Sequence, residues 1–420
     1  MVKLDKPDPL PLGGAPLKRR RYGLYAVLTL FLAGIVGLGM AEFLVRMVRP
    51  QGTYSRLLST TGEYYTDGEF IPFTLKKDYV APAPSMEFPG KKVTYSINSL
   101  GLRGPETTVE KPPGSRRILF LGDSYTFGIF CADDEVYPRA LERLYARQTP
   151  QVEVLNAGYA DGWSPDDHYA WLLKRGLSFR PDLVVYGFFI GNDIDDINTN
   201  YWVNLDQRGL PTRMVNPNIY VDYFGRIRSR RRDSKTVGTE IIFKVPLLRE
   251  SHFFVLLNHV LLRRWPSSRF LLQSNPKTDG AADYVWPLAV DQVLSPQPSE
   301  TMTRQLAIFF KLVQGMQEAA REAGADFLLL MIPINFQVEP DVFLKVLTGG
   351  DNFQVRRDPF KEMEPKLEEL GIPYLNLLEA MKLHPEQKFY PRNGEVHFNP
   401  NGHRFAAEML KQKLDERGWR

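Results

Sequence analysis

The chain has a single cysteine, Cys131, in 420 residues. One thiol excludes an intrachain disulfide and a cysteine-based metal site. Charge of one sign is also scarce: 53 Lys and Arg against 49 Asp and Glu leave a net charge of +4 at pH 7. Nucleic-acid binding calls for a basic stripe, and the only local run is Arg226, Arg228, Arg230, Arg231 and Arg232. Read as a solvated loop, with an anionic glycan, lipid headgroup or partner as the alternative, that run leaves nucleic acid off the list of partners. No internal repeat is visible. What is present is ordinary for a globular protein, 43% hydrophobic and 24% charged, which excludes wholesale disorder. The length suits one large α/β domain with extensions, or two domains.

The N-terminus breaks this ordinary pattern. Residues 1–17 are rich in Pro and Gly and read as a disordered tail, so that residues 1–21 form a cytoplasmic segment ending in Lys18-Arg19-Arg20-Arg21. An apolar stretch follows, and a helix from Tyr22 to Val45 would span about 36 Å at 1.5 Å per residue, enough for a hydrocarbon core of about 30 Å. Four cationic residues before the span, against Arg46 and Arg49 after it, favour a cytoplasmic N-terminus. This reading makes the chain single-pass, with the lipid bilayer as a partner and its catalytic part periplasmic or at the cell surface. A cleaved signal peptide is the alternative, but the run is long for one and no small-x-small site follows. A core helix is disfavoured because the run is apolar on all faces.

Residues 46–115 mix aromatics, Pro and Gly with short strand-like runs such as Lys92–Ile97, a lead-in packed on the main domain. From residue 116 to 420 strands and helices alternate. Buried-type strands are predicted at Arg117–Gly122, Val152–Asn156, Asp182–Ile190, Asp326–Ile332 and Pro373–Leu377. Helices are predicted at Tyr137–Arg147, from Ser164 toward Leu177, and at Thr301–Ala323, Phe360–Leu370 and Gly402–Glu416. Near-continuous apolar strands separated by amphipathic helices predict a mostly parallel sheet covered on both faces. The alternation lapses between about 198 and 300, a long insertion that contains the arginine run and a hydrophobic helix-like stretch, Phe253–Leu262.

Four segments at strand ends carry the chemistry. Gly122-Asp123-Ser124-Tyr125 follows the first strand and can present a serine hydroxyl where a helix N-terminus favours an anion. The plain reading is a helix cap. Asn156-Ala157-Gly158 follows the second strand, and a glycine there can donate its N–H to a developing oxyanion. Gly191-Asn192-Asp193 follows the third, and the Asn192 amide is a further donor, or else a turn stabiliser. Ahead of the last helix, in Glu395-Val396-His397-Phe398-Asn399-Pro400-Asn401-Gly402-His403, His397 can act as general base and then acid. Glu395, two residues earlier, is positioned in sequence to orient its ring.

These four blocks, in this order on an α/β pattern, resemble the SGNH (GDSL-type) hydrolase superfamily over roughly Arg117–Arg417, interrupted by the insertion. Asn98-Ser99-Leu100-Gly101-Leu102-Arg103-Gly104 also resembles a lead-in of membrane-anchored members. The resemblance implies a flavodoxin-like three-layer α/β/α fold with a mostly parallel five-stranded sheet. It implies Ser124 as nucleophile, His397 as base, and an oxyanion hole of the Ser124 N–H, the Gly158 N–H and the Asn192 side chain. The family places an Asp two or three residues before its histidine; here Glu395 and Gly394 stand there. Glu395 therefore completes a triad, or a Ser-His dyad operates with a backbone carbonyl orienting the ring. His403 is the rival base and is expected on the first turn of the closing helix.

The function expected is an extracytoplasmic, membrane-anchored serine esterase acting on O-acyl groups, such as O-acetyl, of a small molecule or glycan. An O-acyltransferase modifying an envelope or exported polysaccharide shares the same acyl-enzyme. A non-catalytic glycan-binding or assembly protein of the same fold is the third class. No cofactor or metal is expected: Asp166-Asp167-His168 reads as a helix start complemented by acids, and Cys131 as packing.

Overall fold

In the computed structural model the described residues are 17–48, 64–85, 92–146, 150–160, 163–197, 199–217, 219–221, 227–229, 245–249, 251–257, 298–340, 358–391 and 396–419. The chain divides into two units, Met1–Ser55 with Gly238–Pro276, and Arg56–Val237 with Lys277–Arg420. Most of the arginine run, the residues beyond 257 in the predicted Phe253–Leu262 helix, and Glu395 lie outside the described residues.

In the first unit, α1 runs Leu17–Val48. Its segment Tyr25–Val48 has a mean hydropathy of 2.1 and is not buried within the protein. Among the described residues it is the one helix long and apolar enough to cross a membrane or to serve as a signal sequence. A turn of helix at Pro246–Arg249 and helical residues 252–257 complete what is described of this unit.

The second unit begins with two antiparallel pairs, β1 (Tyr65–Asp67) with β2 (Phe73–Leu75) and β3 (Tyr79–Pro84) with β4 (Lys92–Ile97). In chain order there follow β5 (Arg116–Gly122), α2 (Ser124–Phe127), α3 (Tyr137–Tyr145), β6 (Val152–Gly158), α4 (Pro165–Lys174), β7 (Leu183–Phe189) and α5 (Asp193–Asp196). Two small hairpins come next, β8 (Tyr201–Leu205) with β9 (Pro211–Val215) and β10 (Ile219–Val221) with β11 (Ile227–Ser229). After them come α6 (Glu300–Glu322), β12 (Asp326–Ile332), α7 (Pro359–Glu369), β13 (Tyr374–Asn376), α8 (Leu377–Lys382) and α9 (Pro400–Glu416).

Five of these strands form one parallel sheet in the order β6-β5-β7-β12-β13. Numbered along the chain this is 2-1-3-4-5, the flavodoxin-like order that the resemblance implies, in the parallel sheet that the alternation predicts. β7 is buried along its whole length, which is why Leu183–Phe189 reads as an unbroken apolar run. The sheet grows one way from β5 to β6 and the other way from β6 through β13. Right-handed crossovers then place the intervening helices on opposite faces. α3 packs on α9, and α4 packs on α6, one pair for each outer layer. The reversal lies between β5 and β7, where ligand sites of such sheets form at the carboxyl ends of the strands.

Candidate active site

Strand β5 delivers Ser124 to that reversal. Gly122 closes β5 at φ +148°, a backbone region that side chains disfavour. A Cβ there would also lie 2.1 Å from Thr126 Oγ1 and 2.6 Å from the Gly187 carbonyl oxygen. Glycine thus allows the chain to turn directly from sheet to helix. Asp123 caps α2, its carboxylate accepting the Tyr125 N–H at 2.9 Å, so the plain reading of this aspartate holds. Ser124 is the first residue of α2, and its own N–H belongs to the first-turn donors for which a helix has no carbonyl.

The closing segment returns His397 to this serine across 273 residues of sequence, with Ser124 Oγ 2.8 Å from His397 Nε2. Both side chains are half-buried, so solvent and substrate can reach them. The histidine loop is held by Tyr125, whose hydroxyl donates to the Val396 carbonyl. The Tyr125 ring lies 5.1 Å from the His397 ring and edge-on to Phe398 at 4.9 Å. His403 is elsewhere: buried on the first turn of α9, its Nδ1 accepts the Tyr137 N–H at 3.3 Å. Burial pulls its pKa down to about 3, which keeps the ring neutral.

Asn192 donates through Nδ2 to Asp196 Oδ2 at 2.8 Å. An amide nitrogen carries two hydrogens, and this bond uses one of them while Asp196 orients the group. Gly158 ends β6, and its N–H donates to Asn156 Oδ1 at 2.9 Å. The glycine is required for packing: a Cβ would stand 2.3 Å from the Phe127 nitrogen and 2.6 Å from the Thr126 carbonyl carbon. Gly158 lets α2 lie directly on β6, and Asn156 reinforces the contact by donating to the Thr126 carbonyl at 2.9 Å. Glu395 lies outside the described residues.

Sequence reasoning missed three features. Asp123 is buried, with burial pushing its pKa up to about 6 against the opposing pull of its bond from Tyr125 and of nearby His397. Asp193 is buried as well, its carboxylate accepting from the Phe189 N–H at 3.0 Å and the Tyr186 hydroxyl at 3.2 Å, and burial raises its pKa. Arg103, from the lead-in, is buried behind α2. It donates to the carbonyls of Phe127, Gly128 at 2.7 Å and Cys131 at 2.7 Å, and pairs with Asp133 at 3.0 Å. The rings of Tyr95 and Phe127 flank the guanidinium, each 4.5 Å away. The Asn98-to-Gly104 motif was the available signal, but its three-dimensional neighbours are not readable from spacing.

Asp166 and Asp167 are buried with Ser164, the N-cap of α4; Asp167 accepts the Ser164 N–H at 3.1 Å, and Trp202 Nε1 donates to Asp166 at 2.7 Å. Among the described residues no group of three or more His, Cys, Asp or Glu is arranged to hold a metal.

No family model and no curated protein matches the chain. Solved structures overlap it in part. A two-domain esterase (CEX) active on acetylated mannans, co-crystallised with mannopentaose, shares 12% identity at a TM-score of 0.34 over 72% of this chain. The chain spans about half of that protein's length, 49%. An acetyl xylan esterase, AlAXEase, shares 13% identity at a TM-score of 0.35, with 71% of this chain and 99% of the other covered. A lipase/acylhydrolase from Enterococcus faecalis shares 13% identity at a TM-score of 0.33, with 72% and 96% covered. Likeness at this level does not extend to chemistry or substrate, for which the arrangement around Ser124 has to speak.

Proposed function

We propose that the protein is a serine ester hydrolase anchored to a membrane by α1, with Ser124 as nucleophile and His397 as general base. The observation that carries this reading is the 2.8 Å contact of Ser124 Oγ with His397 Nε2. It lies at the carboxyl edge of β5, beside the start of a helix. Serine is a weak nucleophile until a base within hydrogen-bond reach takes its proton.

In the mechanism, Oγ attacks the ester carbonyl carbon as its proton passes to Nε2. The oxyanion is held by the Ser124 N–H and the second Asn192 amide hydrogen. Collapse expels the alcohol, which takes the proton from His397. Water, deprotonated by the same nitrogen, then releases the acid from the acyl-enzyme. Glu395 orients the His397 ring in this scheme. The substrate class is an O-acyl ester, such as an O-acetyl ester, of a small molecule or an envelope or exported glycan. The half-exposed pair supports this, because a bulky alcohol can approach without entering an enclosed cavity.

A fluorophosphonate probe should label the full-length chain and leave Ser124→Ala unlabelled. Equal labelling of both, or of neither, defeats the reading. With an acetyl ester and oligosaccharides together, free acetate alone marks hydrolysis, whereas acetylated sugar marks transfer.

A further inference from the structure

Within the first unit, one carboxylate stands in an otherwise apolar stretch. Glu42 lies six residues before the end of the Tyr25–Val48 segment, about 9 Å along the helix axis. Its oxygens accept three hydrogen bonds from the distant segment 251–253: Ser251 Oγ at 2.7 Å, the His252 N–H at 3.0 Å and the Phe253 N–H at 2.8 Å. Arg46, one turn on, pairs with the same carboxylate at 2.6 Å.

The bonds at the start of helical residues 252–257 form a complete set. His252 and Phe253 donate to Glu42, Phe254 to Ser251 Oγ at 2.9 Å, and Val255 to the Ser251 carbonyl at 3.2 Å. A helix start in water needs no such provision, since solvent satisfies its first-turn N–H groups. In a water-poor layer every one of them requires a partner within the protein. Two apolar side chains of this segment are uncovered, Leu247 at 83% exposed and Leu257 at 39%, while Val255 is buried.

We propose that residues 247–249 and 251–257 form a second lipid-contacting element, held by Glu42 at the outer end of the anchor, among the headgroups and upper acyl chains. The proposal rests on the reading of α1 as a membrane span. The depth of Glu42 fits this placement, because interfacial helices bury their apolar face about 5–10 Å into the boundary region. Arg46 lies toward the headgroups from Glu42, where a long cationic side chain reaches water.

The test uses the full-length chain in phosphatidylcholine vesicles, with an environment-sensitive fluorophore on one introduced cysteine at a time. The sites are Leu257→Cys, Met47→Cys on the anchor, and Glu322→Cys on α6. Cys131 is buried, and the unsubstituted chain supplies the labelling blank. A shallow doxyl lipid should quench positions 257 and 47 at least twofold and leave 322 unchanged. Adding Glu42→Leu should bring position 257 down to the level of 322 while 47 stays quenched. Glu42→Gln, which keeps an acceptor, should restore most of the quenching at 257. Position 257 quenched by aqueous iodide and not by lipid, with 47 still in lipid, overturns the proposal; so does lipid quenching at 257 that survives Glu42→Leu. Position 47 in water defeats the anchor reading itself, and the proposal falls with it.

Discussion

Ser124, Gly158 and Asn192 stand at or just past the carboxyl ends of three neighbouring strands, yet altering each has a different consequence. Asn192→Ala removes a donor without touching the nucleophile, so kcat for an acetyl ester should fall by about a hundred- to a thousand-fold with KM little changed. Gly158→Ala puts a methyl group into the backbone of α2, 2.3 Å from the Phe127 nitrogen. Thermal unfolding should show a loss of about 1–3 kcal/mol from overpacking, and activity should fall because α2 carries Ser124. Asp123 makes a pH signature. Its pKa rises from the ordinary 3.8 to about 6 in the fold, so the folded state holds the proton more tightly than the unfolded chain. Protonation therefore stabilises the fold at low pH, and that contribution is lost as pH rises from about 4 through about 6. Melting temperatures from pH 4 to 8 should fall less for Asp123→Asn than for the wild type. The two curves should diverge as pH rises through about 6, and parallel curves would contradict the assignment.

At the scale of elements, α2 is only four residues long and cannot hold itself in place. It is fixed from below by Gly158 and Asn156 of β6, and at its carboxyl end by Arg103, whose charge faces the last carbonyls as a helix C-terminus prefers. The lead-in is thus part of the support of Ser124, the proposed nucleophile. Arg103→Met leaves three carbonyls and Asp133 without this donor and should cost about 3–5 kcal/mol, read as a fall in melting temperature. Arg103→Lys should recover only a fraction, because an ammonium cannot reproduce the planar fork across several carbonyls. Equal stability of the Met variant and the wild type would show that the clamp is idle. The strands that flank this support were legible in the sequence because buried parallel strands have uninterrupted apolar runs. β6 extends two residues past its predicted end, through Ala157 to Gly158, since a small residue under a helix looks like a turn when only the local pattern is read.

For the whole molecule, the reading of α1 as an anchor predicts that the intact chain stays with the membrane pellet under alkaline carbonate, whereas a cleaved signal would release it. That reading rests on length, apolar composition and the flanking cations, all of them local, and so it could be drawn from residues 18–49 alone. The same holds for the strand-helix alternation and for the order of the blocks around Ser124, Asn192 and His397. Each of these depends on neighbours within a turn or two, where periodicity and capping act. What the tertiary structure decided is long-range. It brought His397 to Ser124 and placed His403 in the core; it joined Glu42 to the start of a segment 209 residues away. Partners so distant in sequence are chosen by how the sheet reverses and by which buried donors must find acceptors, and neither leaves a periodic trace in the chain.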